Sequence, residues 1–488
     1  MQKVLLLTFM SYTLFHATRK PPSVVKSVLK GGKELSGGGT SAGWAPFNGD
    51  RGDVLLGNVD SAFLLTYAVG MFFAGRIADA ANLRVFLTIG MMGTGVFTVL
   101  VGMAYFWNIH SYSYFIIMQV MAGLFQSTGW PSVVAVMGNW FTGKRGLIMG
   151  VWNAHTSTGN ILGAVVAAAV LSPPWGWGWS FVLPGWMMIM GAVLVYGFLV
   201  PTPEREEDHD RIQLVHLRSA ARLDTPDYRD NEDARGSIHK KPSEKQKPVG
   251  IGMALRIPGV LAYAFCLFFC KLVAYTFLYW LPYYINQESI GGRHLSPTES
   301  AQVSIMFDIG GVVGGIMAGH LSDQFQARGL VSAIFLYSSI LMLYMYKSFG
   351  TISLTVNIVL MAISGAFVNG PYALITTAVS ADLGTHESVH GSARALATVT
   401  AIIDGMGSLG ACVGPSLTGY LAEYSWEAVF LMLYLSAFTA AVLLTGLVFS
   451  DIRAIHERSK ASQSNGHVSS MQELGEMETR TLLGSDND

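Results

Sequence analysis

Tyr12, His16 and Arg19 fall at i, i+4 and i+7 of the first apolar run, so a helix there carries all three on one face. An ionisable side chain inside an apolar run is costly and faces a partner or an aqueous cavity. The planar fork of an arginine donates to two oxygens at once, which suits it to phosphate. Lys20 follows directly, and the other reading is that Arg19 and Lys20 end the helix and reach for the interface. Pro21 and Pro22 do not decide between them, because the helix can continue through Val24–Leu29. A second deep cation, Lys271, sits in Cys-Leu-Phe-Phe-Cys-Lys-Leu-Val-Ala-Tyr, with Tyr275 and Tyr279 at i+4 and i+8 on its face. It serves either an anion or an ion pair with Asp308 or Asp404. His155 is a third candidate, although Asn153, Thr156 and Asn160 share a face that excludes it, one helical step being a turn of about 100°. The apolar runs of the first half contain no Asp or Glu, which argues against proton coupling there; Asp308 and Asp404 lie in the second half.

The elements that hold these residues are membrane helices. Of the 488 residues, 51% are hydrophobic and only 13% charged, against about 25% charged in a soluble domain. Charge gathers at 202–247 and 451–488, and the net charge of −1 gives no basis for nucleic-acid binding. A spanning helix needs about 20 mostly apolar residues. Candidates run at 4–29, 61–78, 84–107, 113–138, 146–171 and 177–200, then at 256–285, 302–321, 329–347, 351–380, 393–421 and 427–450. The first is no signal peptide, since Arg19-Lys20-Pro21-Pro22 stands where a cleavage site would be. Its start is abrupt, and an apolar turn or two more upstream is expected.

The expected fold is an all-α membrane protein: a six-helix unit over 1–200, a polar linker over 201–250, a second six-helix unit over 251–450 and a disordered tail over 451–488. Lys and Arg in short loops (Arg76, Arg84, Lys144, Arg145, Arg328) place both termini in the cytosol. The first outside loop, with Lys30, Lys33 and Arg51, is an exception long enough to translocate. Cys266, Cys270 and Cys412 all lie in apolar runs and read as small buried hydrophobes. No metal, cofactor or nucleophile motif stands out, and the chain does not read as an enzyme.

The halves repeat. Gly75-Arg-Ile-Ala-Asp79 followed by Arg84 recurs as Gly319-His-Leu-Ser-Asp323 followed by Arg328, each after the second helix of its half. Glycine admits close helix approach, and each Asp–Arg pair can staple a tight turn in one of two conformations.

This loop resembles the signature of the major facilitator superfamily. Arg19-Lys20, Gly129-Trp130-Pro131, Lys144-Arg145-Gly146 with Trp152-Asn153 and Gly159, and Gly370-Pro371 together resemble its organophosphate:phosphate antiporter family. Gly43-Trp-Ala-Pro-Phe47, Gly129-Trp-Pro-Ser-Val-Val-Ala-Val136 and the run Asn369–Gly384 are closer still to the eukaryotic sugar-phosphate exchanger branch and its plant glycerol-3-phosphate permeases. The resemblance covers residues 4–450 and implies twelve transmembrane helices in two six-helix bundles, with the site between them. It implies roles for Arg19, Lys20, Tyr12 and Tyr67, and makes Asp308 the family's acid of the eighth helix. The chain departs from the bacterial pattern at three places. His16 replaces a tyrosine, Thr156 takes the site histidine's slot beside His155, and Ala274 takes the arginine's slot one turn after Lys271.

The function expected is alternating-access exchange of an organic phosphate, glycerol 3-phosphate or a hexose phosphate, for inorganic phosphate. Arg19 and Lys271 would bind the anion from opposite bundles, with Tyr12, Lys20, Tyr67, Asn153, His155 and Tyr275 lining the site. Their like charges would resist closure of the empty carrier. Asp79, Arg84, Asp323, Arg328 and Asp308 would gate or brace it. A monomer in a plasma membrane or endomembrane is expected, partnered by the solute, phosphate and lipid. The alternatives are a facilitator or proton-coupled carrier of another solute, and a non-transporting receptor on the same fold. In the tail, Glu478-Thr-Arg-Thr-Leu482-Leu483 resembles an acidic dileucine sorting motif.

Overall fold

In a bilayer every backbone polar group must be satisfied within the segment, so apolar runs of this length fold as helices. The computed structural model describes residues 1–31, 42–141, 152–172, 174–203, 251–384, 393–458 and 460. The linker beyond 203, Lys144–Arg145, most of the tail with its dileucine, and the Asp79 side chain lie outside the described residues. The first half comprises α1 (Gln2–Ala17) and α2 (Pro21–Lys30), then α3 (Gly52–Ala80) and α4 (Leu83–Phe106). It continues with α5 (Tyr112–Gln126) and α6 (Gly129–Trp140), α7 (His155–Ala169) and α8 (Trp177–Phe198). The second half comprises α9 (Val260–Gln287), α10 (Pro297–Phe325), α11 (Arg328–Phe349), α12 (Leu354–Leu374), α13 (Ala393–Ala422) and α14 (Trp426–Leu443). Among the described residues, 9 helices are long and apolar enough to cross a membrane, α5 and α6 counting as one span, Tyr112–Trp140. The broken helix α1–α2, with α7 and α13, supplies the remaining three of the twelve.

Small residues set the packing within each half. A Cβ on Gly95 of α4 would stand 2.8 Å from Gly185 O of α8, so only glycine allows that approach. A Cβ on Gly310 or Gly314 of α10 would run into the backbone of Ala362 or Ala366 of α12. These glycines are helix contacts, as their setting in apolar runs predicts. Between α9 and α10 a two-residue hairpin pairs Ser289 with His294 and Ile290 with Arg293. Its turn residues Gly291 and Gly292 have φ of 59° and 81°, the positive values such a turn needs. α10 then begins with Pro297 at its first position and a Ser296–Glu299 capping box.

The halves meet along α3 and α13, α7 and α10, and α2 and α9. Among the described residues, the side-chain bonds that cross between them lie at the level of Arg19 or toward the end that holds Phe47 and the 289–294 hairpin. We call this the closed end. There Tyr283 Oη donates to Asp53 Oδ1 at 2.8 Å, Ser61 Oγ to Cys412 O at 2.8 Å and Ser416 Oγ to Asn58 Oδ1 at 3.1 Å.

One expected boundary is wrong with consequences. The second span was expected to begin at 61, but α3 begins at Gly52 and carries Asp53 and Asp60 into the bundle, both buried. The first half therefore does hold interior acids. The sequence reading missed them because Asp53, Asn58 and Asp60 depress the hydropathy of that helix's first turns.

Candidate functional site

Pro21 and Pro22 carry no N–H, so the carbonyls of Ala17 and Thr18 lose their usual helical donors. The chain tightens instead. Arg19 N–H bonds back to His16 O at 3.1 Å and Lys20 N–H to Ala17 O at 3.4 Å. This break between α1 and α2 puts two cations on one irregular turn at the junction of the halves.

Arg19 is 3% exposed. Its Nε donates to Gln126 Oε1, and its Nη1 donates to Tyr275 Oη of the other half at 3.2 Å. The guanidinium lies 4.5 Å from the Tyr67 ring centroid and 5.9 Å from that of Phe63. Its Nη2 has no hydrogen-bond partner. Gln126 is fixed in turn by donating to Phe15 O at 3.4 Å and Thr18 Oγ1 at 3.3 Å. Tyr12 and Tyr67 join through their hydroxyls at 3.4 Å. A cavity of about 10 Å³, room for about one water, is lined by Arg19, Asp60, Gln119 and Gln126 among others.

The other buried cations have acids. Lys20 Nζ stands 3.2 Å from Asp308 Oδ2 across the halves, an ion pair without hydrogen-bond alignment. Asn160 Nδ2 donates to Asp308 Oδ1 at 3.0 Å, and its own Oδ1 meets His16 Nδ1 at 3.2 Å. The acid of α10 thus serves both Lys20 and, through Asn160, a histidine. Lys271 Nζ donates to Asp404 Oδ1 at 2.7 Å within the second half. Lys26 pairs with Asp60. Among the described residues, Arg19 is the buried cation left without a carboxylate.

This corrects the expected electrostatics. Arg19 and Lys271 are not two bare cations in opposition, because Asp404 neutralises Lys271. The repulsion held to resist empty closure reduces to a single unpaired guanidinium. An ammonium has three donors, so Lys271 keeps two after serving Asp404.

The remaining candidates divide. Tyr12, Tyr67 and Tyr275 do gather around Arg19. His155 is buried among Phe9, Tyr12, Trp130 and Trp152, with ring centroids 4.4–6.3 Å away. Its Nδ1 meets Thr156 Oγ1 at 3.2 Å, and its Nε2 has no partner. It occupies an aromatic cage beside Tyr12, which the sequence did not foretell. Asn153 is half-buried in the turn before α7. Arg84 lies 5.9 Å from the Tyr196 ring, its Nε unpartnered. Arg328 does meet Asp323 at 2.9 Å and also Asp382, which the repeat did not foretell. Gln126, Asn160, Lys26 and Asp60 were missed. The spacing of Gln119 and Gln126, seven apart in an apolar run, was the available signal for one of them.

The chain belongs to the major facilitator superfamily: the family model matches residues 33–396. Within it, the chain falls in the organophosphate:phosphate antiporter branch. It is 52% identical to "Putative glycerol-3-phosphate transporter 1" of Arabidopsis thaliana, over 94% of this chain and 90% of that one. It is 44% identical to a glucose-6-phosphate exchanger of Mus musculus, over 92% of each. Two solved structures share the fold. A bacterial homologue of the human lysosomal transporter Spinster gives a TM-score of 0.64 at 16% identity, covering 93% of this chain and 97% of that one. A D-xylose–proton symporter gives 0.60 at 12% identity, covering 91% and 97%.

Proposed function

We propose that this chain exchanges an organic phosphate, glycerol 3-phosphate or a hexose phosphate, for inorganic phosphate by alternating access, with Arg19 as the phosphate anchor. The observation that carries the reading is the buried guanidinium without an acid and with a free Nη2. The names of the relatives, glycerol-3-phosphate transporter and glucose-6-phosphate exchanger, supply the substrate class.

The anion lies between Arg19 and the two spare donors of Lys271, beside the hydroxyls of Tyr12, Tyr67 and Tyr275. A buried unpaired charge is unfavourable, so the empty carrier has one charge to compensate and the loaded carrier has its compensation. The loaded form therefore crosses the occluded state more readily, which makes transport an exchange. Lys20–Asp308 holds the two halves in register, and Arg328 with Asp323 braces the opposite end. The halves 1–200 and 251–450 act as the two moving units, joined by the 201–250 linker. The protein works as a monomer in a plasma membrane or endomembrane, with both termini cytosolic.

A proton-coupled carrier is the second reading, favoured by the buried Asp60 of the first half. Counterflow into phosphate-loaded liposomes, scanning glycerol 3-phosphate, glucose 6-phosphate and phosphate with and without a pH gradient, decides. Exchange indifferent to the gradient supports the antiporter; uptake that needs the gradient and no internal phosphate rejects it.

A further inference from the structure

Lys26 lies in α2, seven residues beyond Arg19, and is 1% exposed. The phosphate site does not use it. Its ammonium pairs with Asp60 of its own half, yet it lies against rings of the other half: 4.9 Å from the Trp280 centroid and 5.6 Å from that of Tyr279. Both fall within the reach of a cation–π contact. Trp280 is held from behind, its Nε1 donating to Pro415 O of α13 at 3.1 Å. A Cβ on Gly57 of α3 would come 3.4 Å from Trp280 Cζ2, so the indole also fills the α3–α13 seam. The closed end can open only if α9 and α13 withdraw from α2 and α3, which takes the rings off the ammonium.

We propose that Lys26 and Trp280 form the latch of the closed end: a cation fixed by Asp60 on one half grips an indole fixed by α13 on the other. Packing alone could shut such a seam. So could the ammonium alone resist it, because closure strips water from the Lys26–Asp60 pair. The latch differs from both in requiring the two residues together, so their coupling is the quantity to measure.

The chain supplies its own reporter. Cys412 is half-buried in the α3–α13 seam, its Sγ 3.5 Å from Ser61 O, and the other two cysteines lie in α9. The full chain with Cys266→Ala and Cys270→Ala, purified in detergent without substrate, is labelled at Cys412 with a maleimide. Trp280→Leu is compared in two backgrounds, with Lys26–Asp60 intact and with Lys26→Met/Asp60→Asn. A desolvated cation–π contact corresponds to about a thirty-fold change in an opening equilibrium. The latch predicts labelling faster by about that factor with the pair intact, and by only a few-fold in the neutral background. An equal acceleration in both backgrounds, or none in either, overturns it. Trp280→Phe in the same two backgrounds gives the same comparison at smaller amplitude if the leucine variants do not fold. The readout needs no transport, so a failed latch is distinguishable from a failed phosphate assignment.

Discussion

Lys20, on the turn between α1 and α2, and Asp308 of the eighth span form a buried ion pair across the two halves, 3.2 Å apart, with Asn160 closing the other carboxylate oxygen. A pair so placed neutralises one cation of the central cluster and leaves its neighbour Arg19 unpaired. Asp308→Asn should therefore strand Lys20 and destabilise the protein by about 3–5 kcal/mol. Lys20→Met/Asp308→Asn should recover most of the lost melting temperature in detergent. Melting of the single variant at the wild-type temperature would contradict the pairing.

Lys271 and Asp404 should separate folding from transport. Lys271→Met leaves a buried carboxylate, and Lys271→Met/Asp404→Asn removes both charges. The double variant should melt near wild type yet fail in phosphate exchange, because the anion has lost the two spare donors of Lys271. For wild type, phosphate at a hundred times its dissociation constant should add about 2.7 kcal/mol of stability, and the double variant should show little of it. Restored exchange in the double variant would confine Lys271 to a structural role.

Gln126 fixes the guanidinium through Nε. Gln126→Leu removes a hydrogen bond to a charged group, a contact worth about 1.5–3 kcal/mol. Half-saturation for phosphate should rise roughly ten- to a hundred-fold, and melting should fall as well, because the buried Nε loses its acceptor. An unchanged half-saturation would show that Arg19 holds its pose without the amide.

How much of this was legible depended on what surrounded each residue. Arg19, Lys20 and Lys271 were conspicuous because a cation inside an apolar run has few uses. Asp308 and Asp404 followed as their possible partners, and the geometry assigned one to each lysine. Asp60 and Lys26 were not legible as a pair. The polar first turns of α3 looked like loop, and Lys26 fell in the stretch where a helix end was equally plausible. Gln126 was hidden because a neutral amide costs less than a charge in such a helix. That Lys271 is neutralised could not be read from one helix, since Asp404 arrives from more than a hundred residues away.

Gly159 lets α7 lie on α1 beside His16: a Cβ there would stand 2.5 Å from His16 Cβ. Gly159→Val should push the first helix off α7, lower stability by about 1–3 kcal/mol and reduce exchange by disturbing the His16–Asn160–Asp308 chain. Melting curves and exchange rates check both. A valine variant with wild-type values for each would mean that α1 is not seated there as described.

The central claim is that Arg19 binds phosphate through the geometry of its fork as well as its charge. The direct measurement is phosphate counterflow in liposomes by wild type and Arg19→Lys, reconstituted at equal amounts. Lysine keeps the charge but cannot present two parallel donors while also holding Gln126 and Tyr275. The predicted result is robust wild-type exchange, inhibited by glycerol 3-phosphate or glucose 6-phosphate, with Arg19→Lys slower by at least about a hundred-fold despite normal folding. Exchange by Arg19→Lys at the wild-type rate would contradict the account.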